Sequence, residues 1–208
     1  TAALPVLARV IHGQTMITGF RTGCGFPFHC LDDLCSALLT LPALNSISFD
    51  QFAGQGPEEG QSLESMDKLL QLRSLREVTF GDIVFTNTLS KVVAKALKER
   101  SEITDLHFQG TSFLEGGGAM IADALETNTT LKCLDFFAKA DKVFYKVLAL
   151  ILLSNCTLQK LICSAPDGSG NCSWLSSLIL ALQVNNGLKV LCISGIDLID
   201  KKLSTAMR

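Results

Sequence analysis

The chain has 208 residues, of which 48% are hydrophobic and 18% charged, and its formal net charge is −2. A chain of this length can build one substantial core or one elongated array. Its weak negative charge excludes a global basic field that would hold nucleic acid or an anionic membrane. No run of about 18 apolar residues is present, so we expect no membrane span. The opening TAALPVLARVIHG lacks the pattern of a signal peptide.

Eight cysteines are spread along the chain. None of them forms a C-x-x-C pair, and the group Cys24, Cys30 and Cys35 is too irregular for a zinc knuckle. We therefore expect buried, reduced thiols in a cytoplasmic protein.

The first predicted strand opens at Ile17 and Phe20, after a helix that carries Leu7 and Ile11. The same apolar frame, L-x-x-L-x-F or a close variant, then recurs six times, starting at Leu44, Leu75, Ile103, Leu131, Leu158 and Leu188. Six residues before each of these starts stands a leucine: Leu38, Leu69, Leu97, Leu125, Leu152 and Leu182. Apolar residues four positions apart indicate helices, and alternation indicates strands. Each unit of about 28 residues is therefore predicted to be a helix, a hinge and a short strand.

Three hinges carry an asparagine three residues before the strand frame, at Asn128, Asn155 and Asn185. We expect each asparagine to end its helix in the left-handed conformation, which this residue tolerates. Asn128 and Asn155, like Asn171, also open N-x-[ST] tripeptides, but we favour the structural role for the first two.

A single helix–strand unit cannot bury both apolar faces, so stacked units are expected to form a parallel sheet with helices on its other side. The stretch LETNTTLKCLDF, preceded by LEGGGAMIADA, resembles the ribonuclease-inhibitor-like class of leucine-rich repeats, as do SEITDLHF, SNCTLQKLIC and NNGLKVLCI. The resemblance implies an α/β solenoid, a horseshoe arc with parallel strands on the concave face and helices on the convex face. Residues 1–208 would be a single domain of six to seven repeats. Residues 196–208 begin a further helix, so we expect either a fragment of a longer protein or a last helix that caps the array.

The chain departs from this class at one position of the repeat. Such repeats carry Asn or Cys eight residues after the first leucine, where this chain has Phe52, Ile83, Thr111, Lys139, Pro166 and Ile196. Irregular loops are therefore expected after the strands, with Gly- and Pro-rich insertions at 52–62 and 164–171.

Catalytic motifs are absent from the sequence. It contains no phosphate loop, no H-E-x-x-H and no G-x-S-x-G, and the glycines of 23–26 and 115–119 do not follow a strand as a nucleotide-binding loop would. We expect a protein that is not an enzyme and that needs no cofactor.

The remaining candidate site is the concave sheet face, where equivalent residues of adjacent strands lie about 4.8 Å apart. Its predicted partner-binding residues are Glu77, Asp105, His107, Gln109, Asp135, Phe137 and Lys160. Several carboxylates beside one aromatic ring suit another protein with a basic surface and an apolar anchor. Asp105, His107, Cys133 and Asp135 are also of the types that bind zinc or pair as a thiol nucleophile. A flat open sheet argues against both, so we expect no metal. A solvated face without a dedicated role is the third interpretation.

Two alternative functions remain at this stage. The resemblance implies that a protein of this class can activate the Ran GTPase. The same class of repeat proteins also includes innate-immune sensors, and in such a sensor this chain would be a structural or oligomerisation segment. The helical stretches 143–155 and 173–185 are apolar nearly all round, which favours self-association through the C-terminal helices. Binding could also occur on the strand-end loops instead of the concave face.

Overall fold

The computed structural model describes residues 7, 9–12, 14–23, 26–53, 63–99, 102–114, 116–139, 142–164 and 173–194. Within this part of the chain the strands are β1 (Gly19–Arg21), β2 (Phe26–Pro27), β3 (Ser46–Asp50), β4 (Phe52–Ala53), β5 (Glu77–Gly81), β6 (Val84–Phe85), β7 (Asp105–Phe113), β8 (Cys133–Lys139), β9 (Lys160–Ser164) and β10 (Val190–Ser194). The α-helices are α1 (Leu31–Leu38), α2 (Glu64–Leu70), α3 (Asn87–Lys98), α4 (Gly117–Thr127), α5 (Lys142–Leu152) and α6 (Ser173–Val184).

The strands form a mixed α/β fold around one all-parallel sheet of eight strands. Its order is β1-β3-β5-β7-β8-β9-β10, with β6 beside β7, so neighbours in the sheet follow the order of the chain. Parallel neighbours need a crossover, and the helices between the strands supply it. The predicted α/β class and parallel strands are therefore confirmed, including β1, whose Phe20 pairs with Ile47.

The repeated frame is in register from strand to strand. The residue three after each frame start pairs with its equivalent in the next strand, in the series Ile47, Val78, Leu106, Leu134, Leu161 and Leu191. The first five of these side chains are fully buried. Because side chains alternate along a strand, the residues directly before and after each of these core positions point to the opposite face of the sheet.

Phenylalanines at the next inward position of the frame stack through the core. The rings of Phe49 and Phe80, and of Phe80 and Phe108, have centroids 5.7 Å apart, and those of Phe108 and Phe136 are 5.2 Å apart. Phe85 and Phe113 pack against the edges of this row. Such aromatic contacts add to the hydrophobic stabilisation by roughly 0.5–1.5 kcal/mol each.

The hinge asparagines have a different role from the one that the sequence predicted. Asn128 has φ −75° and ψ 128°, an extended conformation, so the prediction of a left-handed helix end was wrong. Its side-chain oxygen accepts hydrogen bonds from the backbone N–H groups of Thr130 and Leu131, and its amide donates to the carbonyl oxygen of Leu97 in the preceding unit. The side chain thus closes the turn into the strand and binds the neighbouring unit.

Asn155 and Asn185 repeat this pattern one and two units later. Asn155 donates to the carbonyl oxygens of Leu125 and Asn128, and Asn185 donates to those of Leu152 and Asn155. We call these three residues the asparagine ladder. Asn128 and Asn155 are buried, with their amide nitrogens engaged, which supports their structural role over glycosylation in the folded chain. Asn171 lies outside the described residues.

The segments after the strands are more regular than predicted. The pairs β2–β4 and β6–β7 continue the parallel pairing beyond the main strands, and Ile83 and Thr111 are buried. Gln51, Asp82 and Gly110 stand at one equivalent position, and all three have positive φ. A left-handed residue there redirects these three strand ends. The β7–β8 register also shifts between Gln109 and Ser112, so the segments continue the pairing but with an irregularity at this point. Most of the predicted insertions, together with Pro166, Ile196 and the further helix at 196–208, lies outside the described residues.

Gly117 shows why the glycine run at 115–119 is structural. A side chain there would place its first carbon 2.6 Å from the hydroxyl oxygen of buried Ser90. Gly116 precedes it at φ 81° and caps the start of α4. These glycines allow α3 and α4 to approach closely, which supports a packing role. The run follows the end of β7 at Phe113 and leads into α4 at Gly117, so the expectation that it does not follow a strand was wrong.

Candidate functional site

The candidate site lies on the face of the large sheet opposite the core, which we call the open face. Register brings all seven sequence-predicted residues together there. One row across the strands runs Glu77, Asp105, Cys133 and Lys160, and the next runs Thr79, His107, Asp135 and Ile162. Gln109 pairs with Phe137 one row further. The frame therefore placed each residue on its strand correctly.

The structure divides these residues into two levels, which the sequence did not predict. Phe137 is 51% exposed, and Glu77, Gln109 and Lys160 are exposed as well. We call these four residues the rim. Asp105, His107, Cys133 and Asp135, which we call the floor, are buried or half-buried. The face thus has a half-buried centre and exposed side chains around it.

His107 lies at the centre of the floor between two carboxylates. Its Nδ1 is 3.7 Å from Asp135 Oδ2 and its Nε2 is 3.9 Å from Glu77 Oε1. Its side chain is only 20% exposed. Both separations exceed hydrogen-bonding distance, so the imidazole is surrounded by negative charge without a direct hydrogen bond to either group.

The two floor carboxylates differ in their partners. Asp105 Oδ2 accepts a 2.7 Å hydrogen bond from Thr104 Oγ1, which fixes that carboxylate beside its own strand. Asp135 has a side chain that is 16% exposed, and its buried Oδ1 has no hydrogen-bond partner among the described residues. A buried acceptor without a partner is costly and uncommon in folded proteins. It marks the floor as a place where a ligand or water would be stabilised.

Cys133 supplies the thiol of the floor. Burial raises its pKa above the ordinary value for a thiol, the Asp105 charge raises that pKa further, and Lys160 on the next strand lowers it. The raised pKa keeps the group a neutral thiol near pH 7, whereas a nucleophile needs a thiolate. The pairing with His107 therefore does not resemble an activated cysteine.

A second group of charges extends the open face towards β1. Arg21 Nε donates to Asp50 Oδ2 at 2.7 Å, and Ser48 Oγ donates to the same oxygen at 2.6 Å. Ser46 Oγ donates to Glu77 Oε2 at 3.3 Å and links this group to the rim. Arg21 was not among the predicted site residues, although its position one residue after Phe20 in the frame would have placed it on this face.

Comparisons with known proteins do not assign this chain to a protein family. Scans against protein-family models and against curated proteins find no match to this sequence. The described helices include none with the length and apolar character needed to cross a bilayer.

Proposed function

We propose that this chain is a leucine-rich-repeat solenoid whose concave face binds another protein. The proposal rests on three features: in-register units of about 28 residues, a parallel sheet in chain order, and the asparagine ladder between units. Stacked units of this kind form an arc because helices are wider than strands, and the open face would be its inner surface. We place it in the cytoplasm, because the described cysteines are free thiols.

The observation that carries the function is an exposed aromatic ring on the same face as several carboxylates. Phe137 stands half exposed two residues after Asp135 on β8, and Asp105 and Glu77 lie further along the same face on β7 and β5. Exposure of a phenylalanine ring to water is unfavourable in free energy, and burial by a partner relieves it. Aromatic anchors with polar groups around them are typical of binding hot spots. The excess of carboxylates over cations selects a basic partner surface. From Glu77 to Phe137 the site spans about 16 Å, given the spacing of strands and residues.

The test compares two matched double variants in capture experiments from cell lysate, read by mass spectrometry. Glu77→Lys/Phe137→Ala changes the rim only and leaves the half-buried floor intact. Glu126→Lys/Met16→Ala makes the same change of charge and removes an apolar side chain that is more exposed than Phe137 and lies off this face. We expect a protein that is retained by the wild type and the control but lost by the rim variant. Equal retention by all three would reject the rim as the binding site.

The identity of the captured protein then separates two functional classes. A GTPase of the Ran type whose hydrolysis rises on adding the chain would assign the activating role instead of plain recognition. A basic partner without such an effect would support a scaffold or recognition module.

The C-terminal helices favour a second candidate function, self-association. The position eight residues before each frame start carries Asp67, Lys95 and Asp123 in the middle units, and Lys95 there pairs with Asp67. In the next two units the same position holds Leu150 and Leu180, which are 64% and 62% exposed. Val184 is exposed on the same helix as Leu180. Exposed leucines on adjacent helices, where other units carry ion pairs, suit a contact with a second copy of the chain.

A further inference from the structure

Three of the four floor side chains bring possible zinc-ligand atoms close together. We propose that Asp105, His107 and Cys133 form a binding site for a divalent transition-metal ion, which their donor atoms identify as zinc. Carboxylate oxygen, imidazole nitrogen and thiolate sulfur are the three ligand types that zinc uses in proteins, whereas calcium and magnesium prefer oxygen alone. This inference goes beyond the proposed protein recognition and replaces the expectation of no metal.

The geometry of the three ligand atoms suits a single ion. One ligand atom from each residue lies within 4.8 Å of the other two. A tetrahedral zinc ion holds its ligand atoms about 3.3–3.8 Å apart, given bonds of 2.0–2.3 Å. The widest pair therefore has to close by at most about 1–1.5 Å, which side-chain rotations provide.

The sheet fixes the backbone positions of the three ligands. Asp105 and His107 are two residues apart on β7 and so share a face, and Cys133 pairs directly with Asp105 on β8. Ligands on central strands of a sheet have their Cα positions set by the backbone hydrogen bonds of the ladder. This preorganisation favours metal binding, because little main-chain order remains to be created.

The surroundings of His107 supply the outer partner that zinc-bound histidines require. One ring nitrogen faces Asp135 at 3.7 Å and the other faces Glu77 at 3.9 Å. Whichever nitrogen binds the ion, a carboxylate stands beside the other one and can accept its hydrogen. Such an acceptor fixes the tautomer and raises the basicity of the ligating nitrogen. Asp135 and Glu77 are thus positioning residues for the site.

The local negative charge and the unpaired oxygen of Asp135 both favour a bound cation at this site. Asp105, Asp135 and Glu77 bring three negative groups around His107, and a dication relieves their mutual repulsion. Lys160 is exposed in the register position next to Cys133, with room to turn its ammonium group into solvent. The buried Asp135 Oδ1 without a partner gains a role if a metal-bound water lies within its reach. Three protein ligands leave the fourth zinc position for that water.

The experiment is a titration of the purified, reduced, metal-free chain with Co²⁺, a spectroscopic substitute for zinc, followed by displacement with Zn²⁺. We expect one equivalent to bind, with a thiolate-to-cobalt absorption band in the near ultraviolet. Cys133→Ser should abolish the band, and His107→Gln and Asp105→Asn should weaken binding at least about tenfold each. Asp135→Asn should also weaken it about tenfold, as expected for an outer-shell partner.

Matched controls separate this site from other thiols and histidines. Cys156→Ser and His29→Ala change exposed residues off the open face, and both should leave the Co²⁺ spectrum and affinity unchanged. Circular dichroism verifies that each variant folds. A second readout needs no substitution: bound Zn²⁺ should protect Cys133 from alkylation by a small reagent in denaturant-free buffer, with exposed Cys156 as the reactive reference.

Absence of a thiolate band, or a band that survives Cys133→Ser, would overturn the proposal. So would stronger loss of binding in the controls than in the floor variants. Because no partner protein enters this experiment, its failure leaves the recognition function untouched, and a failed capture experiment would not affect the metal titration.

Discussion

Asn155 donates one amide hydrogen to the carbonyl oxygen of Asn128, 3.2 Å away in the preceding unit, and the other to the carbonyl oxygen of Leu125 at 2.8 Å. Its side-chain oxygen accepts from the N–H groups of Thr157 and Leu158 within its own unit. One side chain therefore satisfies four backbone groups at the boundary between two units, where neither helix nor strand supplies partners.

The asparagine ladder predicts a large loss of stability on truncation. Asn155→Ala should lower the free energy of unfolding by about 3 kcal/mol, because buried backbone groups lose their partners. Asn155→Asp should be at least as damaging, since it places a carboxylate against two carbonyl oxygens. Urea denaturation measures both. The control Asn45→Ala changes an exposed asparagine, and an equal midpoint for Asn155→Ala and this control would contradict the ladder.

The same substitution should destabilise the protein strongly at one phenylalanine and hardly at all at another on the neighbouring strand. Phe108 is fully buried and packs against the rings of Phe80 and Phe136, so Phe108→Ala should cost about 3–5 kcal/mol of unfolding free energy. Phe137 is half exposed on the rim, so Phe137→Ala should change stability by less than about 0.5 kcal/mol while weakening partner binding. Thermal melts of the two variants decide this. A large destabilisation by Phe137→Ala would mean that its ring is structural.

Cys163 predicts a loss of stability in alkali. Burial raises the pKa of this thiol from 9.0 to about 12. Above pH 9 the unfolded chain ionises the thiol while the folded chain does not, so its stabilising contribution is complete below pH 9 and is lost as the pH rises towards 12. Between pH 8 and pH 10 the wild type should lose about 1.4 kcal/mol more than Cys163→Ala.

Urea denaturation at the two pH values measures the Cys163 effect as a difference of differences. Any baseline cost of the substitution cancels in this comparison. A pH dependence identical in the wild type and Cys163→Ala would show that the thiol ionises equally in both states.

The exposed leucines of the C-terminal helices predict self-association. Leu150→Lys/Leu180→Lys should convert a concentration-dependent dimer into a monomer in sedimentation velocity, because like charges replace the apolar contact. The control Glu126→Lys/Thr127→Lys alters exposed positions of α4 and should leave the dimer intact. A wild type that is monomeric at all accessible concentrations would remove this second candidate function.

Sequence periodicity predicted the sheet well, because a frame such as Leu131, Leu134 and Phe136 can bury its side chains only when equivalent strands stack in register. The role of Asn155 escaped prediction since its decisive partners, Leu125 and Asn128, lie about one unit away. Local propensity favoured a left-handed helix end and carries no information on such contacts. The division of the open face into rim and floor could not be predicted for a related reason. The exposure of Asp135 or Phe137 depends on side chains from several strands.

The most direct test of recognition through the open face is site-specific photo-crosslinking. A photoreactive phenylalanine analogue replaces Phe137 in one protein and Leu153, exposed beyond the end of α5, in a second. Irradiation in lysate should yield a crosslinked partner from position 137, and salt should reduce the yield because the carboxylates of the open face contribute to binding. Position 153 should give none, or only crosslinks to a second copy of the chain. A partner crosslinked at position 153 and absent at position 137 would contradict the account.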